Sequence, residues 1–218
     1  ATVTDDDTTP ASDSKSASID VQNTDPTVDS VTISPDTGVT PSTALTCSAT
    51  ASDPDGGDPA ISYAWSNGST ELDASSDDGD DSTLTLTTAT SSPGDTITCT
   101  ATVSDDEDAS ASDSATAEVQ NTLPEIEISD PTDGAVVNEG TAITFTATAS
   151  DADTNPSDTL TFSIIDRADN ELFQIDSTSG ALSFQSAVSY DASADAENEY
   201  SVFIKVDDSR GGIDSQAI

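Results

Sequence analysis

Hydrophobic and polar residues alternate with a period of two along most of the chain, and Gly, Pro and Asp separate the alternating segments. A period of two places successive side chains on opposite faces of a strand, so that one face of each segment is apolar. Short alternating segments bounded by such turn residues are typical of β-sandwiches. The pattern predicts an all-β fold of tandem Greek-key β-sandwiches, with its clearest strands at residues 31–33, 84–86, 97–101 and 200–206.

The chain repeats itself at an interval of roughly 100 residues, the length of one sandwich domain. ATVTDDD at Ala1 returns as ATVSDDE at Ala101, and LTCSATASDPD at Leu45 returns as ITFTATASDAD at Ile143, so the offsets are 100 and 98 residues. A third pair aligns the VSD that begins at Val103 with the VDD at residues 206–208.

These offsets divide the chain into three parts. Residues 1–24 are predicted to be the C-terminal strands of a preceding repeat, residues 25–122 a complete repeat and residues 123–218 a further repeat. The boundaries fall at Asp25-Pro26 and Leu123-Pro124, because proline stiffens the chain and removes a backbone donor. Since the first part begins within a repeat, we expect a segment of a longer protein.

The composition is strongly acidic and poor in aromatic residues. Forty-three Asp and Glu face four Lys and Arg, for a formal net charge of −39, and aromatic residues make up 4% of the chain. Without clustered basic residues, nucleic acid and anionic membrane surfaces are excluded as partners. A compact body with this charge repels itself, so we expect it to need screening by salt or neutralisation by cations. Two interpretations stay open, a solvated halophile-like surface and Asp side chains that bind Ca²⁺.

The residue types present do not favour catalysis. The chain has no His, so a Ser-His or Cys-His pair cannot be built. Carboxylates are abundant, but they lie in turns beside Gly and Pro, where nothing singles out an acid–base pair. We predict that the chain is not an enzyme.

The order Cys47, Trp65, Cys99 resembles that of immunoglobulin domains. In that fold two cysteines on facing sheets form a disulfide and the Trp packs against it, so the resemblance implies a Cys47–Cys99 bridge and an oxidising, extracellular compartment. The stretch at 61–68, ISYAWSNG, also resembles the core strand of polycystic-kidney-disease-type repeats of bacterial surface proteins. Asn67-Gly68-Ser69 fits a glycosylation sequon, but a hairpin turn explains it more simply.

The repeat from Pro124 onwards resembles bacterial cadherin-like modules. The shared motifs occur in the family's order: Asn138-Glu139-Gly140, Asp151-Ala152-Asp153, the FxIDxxTGxL-like run at 173–182, Tyr190-Asp191 and Val206-Asp207-Asp208. This resemblance implies Ca²⁺ ions bound at the joints between consecutive modules, with oxygen ligands from both sides. Ca²⁺ accepts six to eight oxygen ligands with loose geometry, so carboxylates and Asn amides suit it.

The two linkers keep an initial acid and the final proline of the family pattern but lack its central Asp. Three ligand groups follow from the resemblance and the repeat alignment. They are Glu118, Asn121, Asp151, Asp153 and Asp208 at the second joint, Asp20, Asn23, Asp53, Asp55 and Asp105 at the first, and Glu139 and Asp191 towards a following joint. The alternative is that these acids are solvated turn residues.

We therefore expect a structural or adhesive repeat segment of a long secreted or cell-surface fibrous protein, stiffened by Ca²⁺ at its joints. Its partners would be neighbouring repeats of the same or identical chains, with an unpaired edge strand completed by a neighbour in a filament. The alternative is a carbohydrate- or protein-binding module, which would need an exposed aromatic platform. The RGG sequence at 210–212 is not an integrin-type RGD and predicts no role.

Overall fold

The computed structural model describes residues 2–4, 8, 12–75, 81–132, 134–136, 138, 143–153, 159–167, 169–187 and 199–218. These ranges form sixteen strands and one 3₁₀ turn, Asn170–Leu172, so the predicted all-β fold is confirmed. Within the same ranges, no helix has the length and apolar character that crossing a membrane requires.

Two short strands, β1 (Thr2–Thr4) and β2 (Ser12–Ser14), form an antiparallel pair at the start of the chain. The first module follows as two antiparallel sheets, one in the order β3-β4-β7 and the other in the order β6-β5-β8-β9. Its strands are β3 (Thr27–Ser34), β4 (Ala44–Ser52), β5 (Ala60–Asn67), β6 (Thr70–Ser75), β7 (Asp81–Thr85), β8 (Thr96–Ser104) and β9 (Ser110–Glu118).

The second module also consists of two antiparallel sheets, in the orders β10-β11-β14-β13 and β12-β15-β16. Its strands are β10 (Glu125–Asp130), β11 (Thr144–Ser150), β12 (Thr161–Ile165), β13 (Phe173–Ile175), β14 (Leu182–Phe184), β15 (Phe203–Asp207) and β16 (Ile213–Ala217). The core of this module and that of the first share no side chain. The exact boundaries of the three predicted parts stay predictions.

The strand registers reproduce the internal repeat. Thr27 pairs with Ser52 in the first module, and Glu125 pairs with Ser150 in the second, each 98 residues further on. In the first module Ala60 pairs with Ser104, and in the second Thr161 pairs with Asp207. Asp207 lies 103 residues after Ser104, so the offset is larger here. The loops between strands absorb the difference, as surface loops do.

The first core is built around a disulfide and the chain's one Trp. Cys47 and Cys99 are bonded, as the immunoglobulin resemblance implies, and both are fully buried. Trp65 pairs with Cys99 in the strand register, and its Nε1–H donates to Ser82 Oγ at 3.0 Å. The buried indole therefore has its polar group satisfied, as a Trp inside a core requires.

The second core has no disulfide and uses aromatic rings instead. All five Phe of the chain lie in this module. Phe145 and Val202, which align with the two cysteines, are both buried. Phe145 packs edge-on against Phe173 and Phe184, at centroid distances of 5.7 and 5.9 Å, and edge-to-face contacts of this kind are favourable.

The Asn67-Gly68 pair is a hairpin turn, as the sequence favours. Asn67 pairs with Thr70 at the β5–β6 turn, and Gly68 has a φ of 57°, which a residue without a Cβ adopts readily. Asn67 Nδ2 donates to Asp95 Oδ2 at 2.6 Å and to the Thr90 carbonyl at 3.2 Å. Both amide protons are thus used within the fold, which disfavours a glycan at this position.

Removal of the disulfide should destabilise the first module alone. A cross-link between residues 52 apart contributes about 4 kcal/mol in the chain-entropy model. We expect reduction, or the double variant Cys47→Ala/Cys99→Ala, to shift urea unfolding of the first module to lower denaturant. Trp65 fluorescence measures that module, because the second contains no Trp. Far-UV circular dichroism should then show a second transition that does not move, and a common shift of both would contradict independent cores.

Candidate functional site

The linker dipeptide Asn121-Thr122 is held by three aspartates of the second module. The Thr122 N–H donates to Asp153 Oδ2 at 2.5 Å, and Thr122 Oγ1 donates to Asp151 Oδ1 at 2.9 Å. Asn121 Nδ2 donates to Asp208 Oδ2 at 2.6 Å. These three contacts attach the end of one module to the beginning of the next.

Strand topology explains why the three aspartates meet the linker. Ser150 at the end of β11 lies opposite Glu125 at the start of β10, so the turn after β11 adjoins the chain that enters β10. The next strand after β11 is β12, and its first residue, Thr161, lies opposite Asp207 at the end of β15. The turns that follow β11 and β15 therefore occupy the same end of the sandwich as the linker.

Asp208 organises its own turn as well as the linker. It is 1% exposed, and its Oδ1 accepts the N–H groups of Arg210 (2.7 Å) and Gly212 (2.8 Å). A Cβ built on Gly212 would collide with the Asp208 carboxylate and with Asn121 Nδ2. Gly212 thus leaves the space in which the carboxylate and the linker amide meet.

The second joint concentrates negative charge and leaves one polar atom unpaired. Asp153 and Asp208 are 2% and 1% exposed, and within the described ranges neither forms an ion pair. Burial, with the charge of Asp153 adding to it, raises the pKa of Asp151. Asn121 Oδ1 is buried and lacks a hydrogen-bond partner in the described part of the chain. Such an oxygen costs free energy unless a donor or a cation reaches it.

The first joint repeats the same contacts. Asn23 Nδ2 donates to Asp105 Oδ2 at 2.8 Å, and the Thr24 N–H donates to Asp55 Oδ2 at 2.5 Å. The Asn23 bond, and then the backbone N–H groups that Asp105 accepts, lower the pKa of this half-buried residue. Asp53 accepts the N–H of Asp55 at 2.9 Å.

An acidic cleft of about 440 Å³ adjoins the first joint. Its lining includes the linker segment around Asn23 and the turns that follow β4 and β8. The acidic residues that line it are Asp53, Asp55, Asp58, Asp105, Asp106 and Glu107.

The structure brings together only part of the predicted ligand set. Asp20 and Glu118 are exposed, and no hydrogen bond in the described ranges joins either to the aspartates. Glu118 ends β9 opposite Thr96, three residues before Asn121. Glu139 and Asp191 lie outside the described residues.

Within the described ranges, no group of three or more acidic or Cys side chains is placed around one point as a metal site would require. At the second joint, donors of Asn121 and Thr122 contact the carboxylates of the three aspartates. The predicted ligand set therefore stays a prediction.

Sequence reasoning missed the two linker threonines, Arg210 and Gly212. The Asn-Thr pair occurs at residues 23–24 and again at 121–122, so the repeat contains the signal for the threonines. Arg210 Nη1 donates to the carbonyl of Pro93 in the first module at 3.3 Å. Nothing in its own sequence context indicates that contact.

Residues 121–218 match the family model of a bacterial Ig domain. This match supports the resemblance of the second module to bacterial immunoglobulin-like and cadherin-like repeats. Such repeats are a non-enzymatic kind of domain. No curated protein matches the chain.

The chain is similar to several solved cadherin structures. It matches domains 3–6 of protocadherin gamma B2 (16% identity, TM-score 0.34, 88% of this chain and 49% of that one) and protocadherin gamma B7 EC3–6, a cis-dimer structure (19%, 0.35, 99% and 56%). Mouse cadherin-23 EC22–24 also matches (19%, 0.36, 90% and 65%). The chain thus spans about half to two thirds of the length of these structures.

Gly212→Ala tests the packing of Asp208 against the linker. The added methyl overlaps the carboxylate and the Asn121 amide, so we expect the second module to lose about 1–3 kcal/mol, as overpacking typically costs. Urea unfolding followed by far-UV circular dichroism measures the loss, and Trp65 fluorescence should not move. In an Asp208→Ala background the same substitution should cost less, because the main collision partner is gone. Equal cost in both backgrounds would contradict the assignment.

Proposed function

We propose that this chain is a structural or adhesive spacer segment of a long extracellular or cell-surface protein, with Ca²⁺ stiffening the joints between its modules. One observation carries the proposal. At both joints an Asn-Thr linker is bound by aspartates of the module that follows. When the linker is fixed to the next module, consecutive sandwiches are less free to reorient relative to each other. The tandem modules then form a stiff, elongated segment.

Three features of the second joint suit a bound Ca²⁺. Two buried carboxylates, those of Asp153 and Asp208, have no ion-pair partner in the described ranges. Asp151 lies beside them with a pKa raised by burial. The unpaired, buried Asn121 Oδ1 supplies a neutral oxygen of the type that Ca²⁺ accepts. When bound, the ion would supply the positive charge that these residues lack.

An extracellular location is supported by the Cys47–Cys99 disulfide, because such bonds persist in oxidising compartments. The resemblance of the second module to bacterial Ig domains points the same way.

The alternative, a carbohydrate- or protein-binding module, receives no support from the described aromatic side chains. Trp65 is fully buried and Tyr63 is 2% exposed. Tyr200 packs against Phe184 with a centroid distance of 5.4 Å. A stacking platform for sugars needs exposed rings, and Tyr190 lies outside the described residues.

A Ca²⁺ titration of the full chain at constant ionic strength tests the proposal. Sites of extracellular modules bind with Kd values of about 10⁻⁴–10⁻³ M, so the melting temperature of the second module should rise over that range. NaCl at equal ionic strength is the control for simple screening. If NaCl reproduces the whole rise, the acids form a solvated surface, and the calcium part of the proposal fails.

Asp151→Asn should have opposite effects on the stability of the second module in the absence and in the presence of Ca²⁺. A carboxyl whose pKa is raised in the folded state destabilises the fold as pH rises from its ordinary value of 3.8 through the raised value. At neutral pH in EDTA, the variant should therefore be at least as stable as the natural chain, and the two should converge below that window. In Ca²⁺ it should gain less stability, since one anionic ligand is lost.

Glu171→Gln removes one charge from an exposed position of the same module and is the matched control. Melting curves of both variants in EDTA and in Ca²⁺ measure these differences. An unchanged response of Asp151→Asn to Ca²⁺ would exclude Asp151 as a ligand.

A further inference from the structure

We infer that the Arg210 side chain restrains the second joint without the help of a metal ion. It does so by closing a ring of hydrogen bonds between the two modules. The inference concerns the ion-free joint; it rests on the spacer role proposed above but not on calcium binding.

The ring begins in the first module, in the turn that precedes β8. The Gly94 N–H donates to the Val119 carbonyl at 2.7 Å, and the Val119 N–H donates to the Asp95 carbonyl at 2.9 Å. Val119 also forms a bridge to Val39, which lies in the connection between β3 and β4. The turn that carries Pro93 is therefore rigidly attached to the chain immediately before the linker.

The ring continues in the second module. Asn121, two residues after Val119, donates to Asp208, and Asp208 accepts the backbone N–H of Arg210 at 2.7 Å. The guanidinium of Arg210 then returns to the first module, where Nη1 donates to the Pro93 carbonyl. Both ends of the short linker are thus fixed, and Arg210 connects the modules without passing through the linker backbone.

The residue at the position of Arg210 differs between the two joints of the chain. At the first joint the equivalent turn has Glu107, whose N–H donates to Asp105 Oδ1 at 2.9 Å, as that of Arg210 does to Asp208. A carboxylate cannot donate to a carbonyl, and Glu107 lines the acidic cleft. The chain has only four basic residues, and one of them occupies this place at the second joint.

A joint whose modules share one linker and a few exposed contacts is expected to bend. Closing the ring opposes bending, because any change in the angle between the modules must stretch the Arg210–Pro93 contact or the linker contacts. The second joint is therefore restrained without a cation, whereas a joint with Glu at this position lacks this restraint.

¹⁵N relaxation of the full chain in excess EDTA tests the inference, since it gives a rotational correlation time for each module. In the natural chain both modules should share one correlation time. In Arg210→Gln and in Arg210→Glu, which copies the first joint, both times should fall by about 1.5-fold, because each module then tumbles partly on its own.

Lys15→Gln is the matched control. It removes one positive charge at an exposed residue outside both modules and should leave the relaxation unchanged. The Arg210 variants keep the backbone N–H that Asp208 accepts, and dispersed amide spectra verify that both modules are folded. A common correlation time in the Arg210 variants, or an equal fall in Lys15→Gln, would overturn the inference. Because no metal is present, neither result depends on whether calcium binds.

Discussion

The hydrogen bonds between aspartates and the linker are the interaction on which the arrangement of the modules depends. A chain with a net charge of −39 would be expected to keep its carboxylates in water. Asp153 and Asp208 are instead buried where the linker passes, and each accepts a donor from it. Bonds to a charged acceptor are stronger than neutral ones, at about 1.5–3 kcal/mol net. Few other groups in so acidic a chain could fix the linker as firmly.

The two modules stabilise thin cores in different ways. The first contains the disulfide and the buried Trp65, and the second contains all five Phe with Phe145 in the place of Cys47. A cross-link acts chiefly on the unfolded chain, whereas aromatic packing acts in the folded state. The same sandwich fold thus accepts two different core compositions, because it requires only that apolar side chains fill the space between its two sheets.

Much of the fold could be predicted from the sequence, because two-residue alternation directly reports strand faces. The 98-residue offset also predicted that Asp53 and Asp151 occupy equivalent turns. The site was predicted only in part, because a repeat shows which residues are equivalent but not what they contact. Glu118 was expected among the ligands, yet it lies exposed at the end of β9. An extended chain covers about 10 Å in three residues, which separates Glu118 from Asn121. The Arg210–Pro93 contact depends on how two modules meet, and no local pattern encodes that.

Hydrogen bonds already made by the β10 edge limit how copies of the chain could associate. An edge strand with unpaired N–H groups invites a neighbouring strand. On β10, the N–H groups of Ile126 and Ile128 are already satisfied by Asp214 Oδ2 (3.1 Å) and Gln216 Oε1 (2.9 Å) of β16. A strand added at this edge would have to displace both bonds, and it would meet an acidic surface of like charge. The β10 edge therefore disfavours side-by-side addition, whereas the joints attach modules end to end through donors that the linker itself supplies.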